Sequence, residues 1–252
     1  MEFNFADQRI SLNIPTQSAL MTEVTRRFRA SQGFALATIN LDHLVKLAGS
    51  PAFRQTYAGQ DMIVADGRPI VTLSRLAGRP VDLMPGSDLI LPLCRLAVSE
   101  GIRVALVGST DQALTDAEAA LGKAVQGLKI TLRIAPSGLF DPDGEEAGRL
   151  LGQLDQAGIG LCFLALGAPK QEILALRGRN IAPGVGFASI GAGLDFLGGH
   201  QRRAPRMVRK MGLEWAWRAL SSPFRLGPRY LKCLGILPGQ IIHAIRLRKD
   251  KQ

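Results

Sequence analysis

The feature that most constrains the fold is a regular alternation of short apolar segments with longer amphipathic ones, from Phe34 to about Asp195. The apolar segments have the length of strands, and the amphipathic ones have the spacing of helices. Strands this apolar need cover on both faces, which predicts an α/β fold with a parallel sheet between helices. The predicted strands are 33–40, 61–65, 102–108, 129–135, 159–167 and 184–191, and the predicted helices are 41–53, 68–78, 87–101, 111–125, 145–157 and 169–178.

Residues that directly follow the strands are the candidates for a site, because ligands of such sheets bind at the carboxyl ends of the strands. Asp66 and Gly67 follow the strand MIVA, and they are either a turn or a carboxylate presented by a rigid strand. Gly108 and Ser109 precede a helix, where backbone N–H groups bind phosphate or simply begin a capped helix. The other strand ends are 38–40, 167–172 and 191–195.

The segment GAPKQE, residues 167–172, places Lys170, Gln171 and Glu172 in the first turn of a helix. There they either meet a ligand above the sheet or form a solvated helix start. Neither a phosphate-binding G-x-x-x-x-G-K-[ST] nor a dinucleotide G-x-G-x-x-G sequence follows a strand, so we predict no cofactor. The three histidines are scattered, and Asp141 and Asp143 resemble a turn before a helix more than a cation site, so we predict no metal.

Cysteine usage and hydropathy indicate a cytoplasmic protein. The three cysteines are far apart in the sequence and lie in apolar contexts, as expected for a reducing compartment. The N-terminal residues lack the basic and then apolar order of a signal peptide. The longest apolar runs, such as 161–166, are far shorter than the roughly 20 residues of a spanning helix.

The net charge of +10 is concentrated in the last fifth of the chain. Residues 200–252 contain 13 Lys or Arg and two acidic residues, whereas the preceding 199 residues contain 18 basic and 19 acidic ones. We therefore predict a body, residues 1–197, and a basic, aromatic C-terminal appendage, residues 198–252, built of short amphipathic helices. Such an appendage binds an anionic membrane surface, binds single-stranded nucleic acid, or packs on the body or on a second subunit.

An ordered set of short motifs then resembles a known family. The motifs are TINLDH (38–43), ADGRPIV (65–71), PGSDL (85–89), VGST (107–110), LGAPKQE (166–172), GAGLDFLGG (191–199), RAPRM (203–207), GLEWAWR (212–218) and PFRLGPRY (223–230). In this order they resemble the WecG/TagA/CpsF family of bacterial glycosyltransferases. ADG, GxPKQE and GLEW together are far more specific than any one of them.

The resemblance implies a Rossmann-like parallel sheet with a small helical C-terminal appendage, and an inverting, metal-independent glycosyltransferase. A hexose or N-acetylhexosamine-type sugar would move from a UDP-sugar to a polyprenyl-diphosphate-linked saccharide at the inner face of the cell membrane, where the protein is peripherally bound. By motif, Asp66 is the base. The other implied residues are Thr38, Asn40 and Gln171 in the same pocket and Arg218, Arg225 and Arg229 of the appendage near the diphosphate.

The remaining substrate-binding candidates are Gly108, Ser109, Lys170, Glu172, Gly191 and Asp195. Members of the family often have an arginine where this chain has Leu83, and Arg79 or Lys170 are candidates to replace it. We expect no nucleic-acid partner from the resemblance, and homo-oligomer formation stays open. Two rival hypotheses are a nucleic-acid-binding tail and a glycoside hydrolase that pairs Asp66 with Glu172 or Asp195.

Overall fold

The computed structural model describes residues 1–201, 204, 205, 207, 208, 217 and 223–249, with the side chains of the last segment described from Gly227 onward. Its strands are β1 Glu2–Asn4, β2 Arg9–Ser11, β3 Phe34–Ile39, β4 Met62–Ala65, β5 Val104–Gly108, β6 Ile130–Ile134, β7 Leu161–Ala165 and β8 Gly186–Ser189. Strands β3 to β8 form one sheet in the order β4-β3-β8-β7-β5-β6, with every neighbouring pair parallel. The predicted Rossmann-like α/β fold is confirmed.

Helices lie on both faces of this sheet, as the apolar strands predict. The helices are α1 Gln17–Arg29, α2 Leu41–Gly49, α3 Pro51–Ala58, α4 Arg68–Leu76, α5 Gly86–Ser99, α6 Asp111–Ala124, α7 Glu145–Gln156, α8 Lys170–Ile181, α9 Gly193–Leu197 and α10 Pro223–Lys249. Successive residues of β7 point to opposite faces. Phe163 packs in a core with α1, α5, α6 and α9, and Leu164 packs in a core with α7 and α8. Helices α2, α3, α4 and α10 share a third core with β1 and β2.

The single helix predicted over 41–53 is wrong, because the structure has two helices, α2 and α3, that meet at Ser50. Pro51 occupies the first turn of α3 and has no N–H group with which to continue the bonding of α2. The Ser50 hydroxyl accepts a hydrogen bond from the Phe53 backbone N–H at 3.2 Å and so begins a new helix. Helix α1 and the antiparallel pair β1–β2 were not predicted.

The described part of the C-terminal appendage contains one long helix, where the sequence analysis expected short ones. Helix α10 contacts α2 and α4. Its residues Cys233, Ala244 and Leu247 are buried, and the His243 Nε2 atom lies 3.2 Å from the carbonyl oxygen of Glu2. Part of the appendage therefore packs on the body. Among the residues with described coordinates, no helix has both the length and the apolar character needed to cross a bilayer.

Candidate active site

The carboxyl end of the sheet brings Asn40 and Asp66 side by side. Strands β3 and β4 pair in parallel with Ile39 opposite Ala65, so each of the two polar residues is the first one after its strand. The Asp66 backbone N–H donates to the Ile39 carbonyl oxygen at 2.8 Å, which extends the ladder by one bond. Asp66 is half-buried. It is therefore a carboxylate at the end of a rigid strand, and Gly67, with φ of 95°, makes the bend that follows.

The amide of Asn40 has a fixed orientation. Asn40 is the N-cap of α2, and its Oδ1 atom accepts a hydrogen bond from the His43 backbone N–H at 3.1 Å. Only the oxygen of the amide can accept this bond, so Nδ2 points the other way. There it donates to Asp66 Oδ2 at 3.3 Å. The helix cap thus presents a neutral hydrogen-bond donor to the Asp66 carboxylate.

Thr38 and Gln171, two of the four predicted pocket residues, are buried beneath the end of the sheet. Thr38 is 4% exposed and donates from Oγ1 to the Ser189 carbonyl oxygen at 3.3 Å. Gln171 is 2% exposed, and its Oε1 accepts from the Gly191 backbone N–H at 3.2 Å. Its Nε2 donates to Glu172 Oε1 at 2.8 Å. Both side chains tie neighbouring strand ends together.

Glu172 belongs to a buried polar cluster that sequence analysis did not predict. It is fully buried, and burial raises its pKa to about 7. His43 is also buried, its Nδ1 lies 3.1 Å from the Tyr57 hydroxyl, and burial lowers its pKa to about 4. The pKa of Tyr57 is raised by burial and then by the charges of Glu172 and Asp66. His43 lies on α2 and Tyr57 on α3, so only the packing of the two helices brings them together, and spacing within one helix gave no signal for this cluster.

Ser109 and Asp195 meet on the far side of the sheet end. The Ser109 hydroxyl donates to Asp195 Oδ1, and Gln201 Nε2 donates to Asp195 Oδ2 at 2.8 Å. Ser109 has φ of 57°, a left-handed conformation that is uncommon without glycine. Gly108 has φ of 114°, and an added Cβ would lie 2.5 Å from the Ala165 carbonyl oxygen. The tight passage from β5 to α6 therefore requires glycine at position 108.

The other candidates lie near this edge with different exposures. Gly191 follows β8, and Lys170 begins α8, both half-buried. Leu83 is 42% exposed, and the next residue, Met84, donates its N–H to the Ala65 carbonyl oxygen at 2.8 Å, beside the end of β4. Arg79 is directed to β1, where its guanidinium lies 3.6 Å from the Glu2 carboxylate.

Of the three predicted arginines, Arg229 has a described side chain. Its Nε lies 2.8 Å from Asp42 Oδ1. Arg225 lies in α10, and Arg218 lies outside the described residues. Within the described residues, no group of three His, Cys, Asp or Glu side chains could hold a metal ion. The Asp143 N–H donates to Asp141 Oδ1 at 3.0 Å, which is a turn before α7.

A family described as "Glycosyl transferase WecG/TagA/CpsF family" has a sequence model that matches residues 8–251, nearly the whole chain. The chain belongs to this family. It is therefore a glycosyltransferase of the WecG/TagA/CpsF type, in cell-surface polysaccharide synthesis. Membership implies a sugar donor and a lipid-linked acceptor in general terms. The resemblance carried by ADG, GxPKQE and GLEW is confirmed.

Proposed function

We propose that this protein transfers a hexose or N-acetylhexosamine-type sugar from a UDP-sugar to a polyprenyl-diphosphate-linked saccharide, with inversion at the anomeric carbon. Asp66 is the general base. It removes the proton of the acceptor hydroxyl as that oxygen attacks the anomeric carbon, and UDP leaves with the electron pair of the broken glycosidic bond. The observation that carries this proposal is the contact of Asn40 with Asp66 at the end of two paired strands.

The strand order supports a ligand that lies along the edge of the sheet. Strands β4 and β5 are separated by β3, β8 and β7, so their ends are four strand spacings apart. At roughly 4.8 Å per spacing, about 19 Å separates the strand end with Asp66 from the one with Ser109. This length suits a nucleoside diphosphate sugar. We place its nucleotide near Gly108, Ser109 and Asp195 and its sugar toward Asp66.

The glycoside hydrolase hypothesis requires a second carboxylate that reaches the substrate. Glu172 is fully buried, and both oxygens of Asp195 already accept hydrogen bonds from Ser109 and Gln201. This burial and bonding favour a single catalytic carboxylate. The lipid-linked acceptor that family membership implies in general terms also favours transfer over hydrolysis.

The test is an Asp66→Asn variant, which removes the base and keeps the shape of the side chain. Transfer to a short-chain lipid-diphosphate acceptor, measured by product mass over a panel of UDP-sugars, should fall by a factor of roughly 10² to 10⁴. Calorimetric binding of the same UDP-sugar should stay unchanged. Asp155→Asn, at an exposed position near the end of α7, is the matched control. Near-normal turnover of Asp66→Asn would exclude Asp66 as the base.

We further propose that the outer face of α10 lies on an anionic membrane at the inner face of the cell. Large apolar side chains are exposed along this face, at Leu231, Leu234, Ile242 and Ile245. The opposite face is buried against the body, and basic residues occupy the last turn of the helix. Apolar and basic groups on one exposed helix are typical of interfacial membrane binding.

Cosedimentation of the full chain with vesicles tests this orientation. The double variant Leu234→Glu and Ile242→Glu should lose binding to vesicles that contain anionic lipid. Leu139→Glu, at a position that is 94% exposed and outside α10, should keep it. Equal binding of both variants would exclude α10 as the membrane face. Binding to single-stranded RNA that exceeds vesicle binding would favour the nucleic-acid hypothesis instead.

A further inference from the structure

Asp42 joins the C-terminal helix to the body. It is 8% exposed, lies in the first turn of α2, and has two cationic partners. Its Oδ1 lies 2.8 Å from Arg229 Nε of α10, and its Oδ2 lies 2.8 Å from Lys46 Nζ one helical turn away. Lys46 also donates to the Ala168 carbonyl oxygen at 2.9 Å. These contacts connect α10, α2 and the segment between β7 and α8.

This connection lies next to the candidate base. Asp42 follows Asn40 by two residues, so the residue that contacts Asp66 and the residue that contacts Arg229 share one helical turn. The position also favours a carboxylate, because the N-terminus of a helix stabilises negative charge. Arg229 is therefore anchored at the end of the sheet by a group that is itself held in place.

The ion pair with Asp42 engages one N–H group of the Arg229 guanidinium. An arginine has five N–H groups, and the contact with Asp42 is made at Nε. The Arg229 side chain is 42% exposed, whereas the side chain of Asp42 alone is 10% exposed. The accessible part of the guanidinium matches the oxygens of a phosphate group. The buried carboxylate thus fixes one edge of the guanidinium while the remainder is accessible to an anion.

We propose that Asp42 is a positioning residue: its ion pair holds Arg229 at the carboxyl end of the sheet, for the contact with a substrate diphosphate that the family resemblance implies. This inference rests on the proposed transfer reaction. Two substrates supply a diphosphate, the nucleotide-sugar donor and the lipid-linked acceptor, and separate titrations of the two distinguish them. Asp42 touches neither the substrate nor the reacting atoms in this role.

The experiment compares Asp42→Asn, Arg229→Gln and the double variant in the full chain. Asp42→Asn removes the charge and keeps the size of the side chain. We expect the KM of one diphosphate substrate to rise on the order of tenfold in each single variant, as for the loss of a hydrogen bond to a charged group. The double variant should show no further increase, because Asp42 acts through Arg229. Glu100→Gln, which breaks the ion pair with Arg29 elsewhere on the surface, is the matched control.

Hydrogen exchange provides a readout that does not depend on activity. Amides of residues 227–236 should exchange faster in Asp42→Asn than in wild type, and Glu100→Gln should leave them unchanged. A wild-type exchange pattern in Asp42→Asn would overturn the proposal. So would KM increases that multiply in the double variant, since these would give Asp42 and Arg229 independent roles.

The two proposals fail in different ways. If wild type transfers no sugar from any UDP-sugar, the proposed reaction is wrong. The hydrogen-exchange data still decide whether Asp42 holds α10 in place. Calorimetry with inorganic pyrophosphate then tests the anion site directly. Pyrophosphate binding that weakens about tenfold in both single variants supports the positioning of Arg229 by Asp42. Equal affinity in all variants overturns it.

Discussion

Glu172 and His43 should make opposite contributions to the pH dependence of stability, and these contributions should cancel in wild type. Burial raises the pKa of Glu172 from 4.5 to about 7, so between these values the folded protein keeps a proton that the unfolded chain releases. The free energy of unfolding then falls as the pH rises. Burial lowers the pKa of His43 from 6.5 to about 4, so between these values the unfolded chain binds a proton that the folded protein does not. This contribution rises with pH.

The two windows overlap from pH 4.5 to 6.5, which is two units. At about 1.4 kcal/mol per unit, each group changes the free energy of unfolding by about 3 kcal/mol across the overlap, with opposite sign. The contributions of the pair therefore cancel in wild type. Three titratable groups on other helices face Glu172: Asp42 and Lys46 on α2, and Tyr57 on α3.

Single substitutions separate the two effects. Glu172→Gln keeps an oxygen for the Gln171 amide, and its unfolding free energy should rise by about 3 kcal/mol relative to wild type between pH 4.5 and 6.5. His43→Asn should show a fall of similar size. Urea unfolding at several pH values measures both slopes, and Glu145→Gln, at an exposed position, should match wild type. A Glu172→Gln profile parallel to wild type would refute the buried proton.

Three further predictions concern the supports of the site. Asn40→Ser keeps a helix cap and loses the donor to Asp66, so kcat should fall while the stability to urea stays near that of wild type. Asn40→Ala should in addition lose about 1 kcal/mol of stability, because the cap is also lost. If both variants had the kcat of wild type, Nδ2 would have no role in the reaction. Gly108→Ala should lower stability by about 3 kcal/mol, from backbone strain and the clash with Ala165, and an unchanged thermal midpoint would contradict this geometry. Asp61→Ala should lower the free energy of unfolding by about 3 kcal/mol, because Asp61 bridges Arg27, Arg179 and the Ala35 N–H. Urea unfolding measures this loss, and kcat of the folded protein should stay unchanged.

The strands and their polar ends could be predicted because short-range signals define them. Five of the six predicted strands end in, or are followed by, glycine or a polar residue, and parallel strands bring their carboxyl ends to one edge. This predicted that Asn40 and Asp66 lie at the same edge of the sheet, whereas their direct contact follows from the pairing of β3 with β4. The break between α2 and α3 was also present in the sequence, since Ser50 and Pro51 form a cap and a first-turn proline.

Other features depend on contacts between distant segments and could not be predicted in this way. Gln171 and Glu172 follow a strand end like Asp66, but their side chains are buried. Gln171 Oε1 accepts from the Gly191 backbone N–H, and Gln171 Nε2 donates to Glu172 Oε1. The sequence does not distinguish the two outcomes. The pairing of Arg229 with Asp42 joins residues far apart in the chain, and only the packing of α10 on α2 brings them together.

The first turn of α2 contacts both the proposed base, Asp66, and the proposed diphosphate-binding residue, Arg229. A cation in direct contact with a carboxylate favours its charged form and so weakens it as a proton acceptor, whereas a neutral amide perturbs it less. In this turn the two functions belong to different residues: Asn40 gives Asp66 a neutral donor, and Asp42 takes the Arg229 cation. Lys46 balances the second oxygen of Asp42. Under the proposed mechanism, Arg229 would then bind the diphosphate through the N–H groups that its contact with Asp42 leaves accessible.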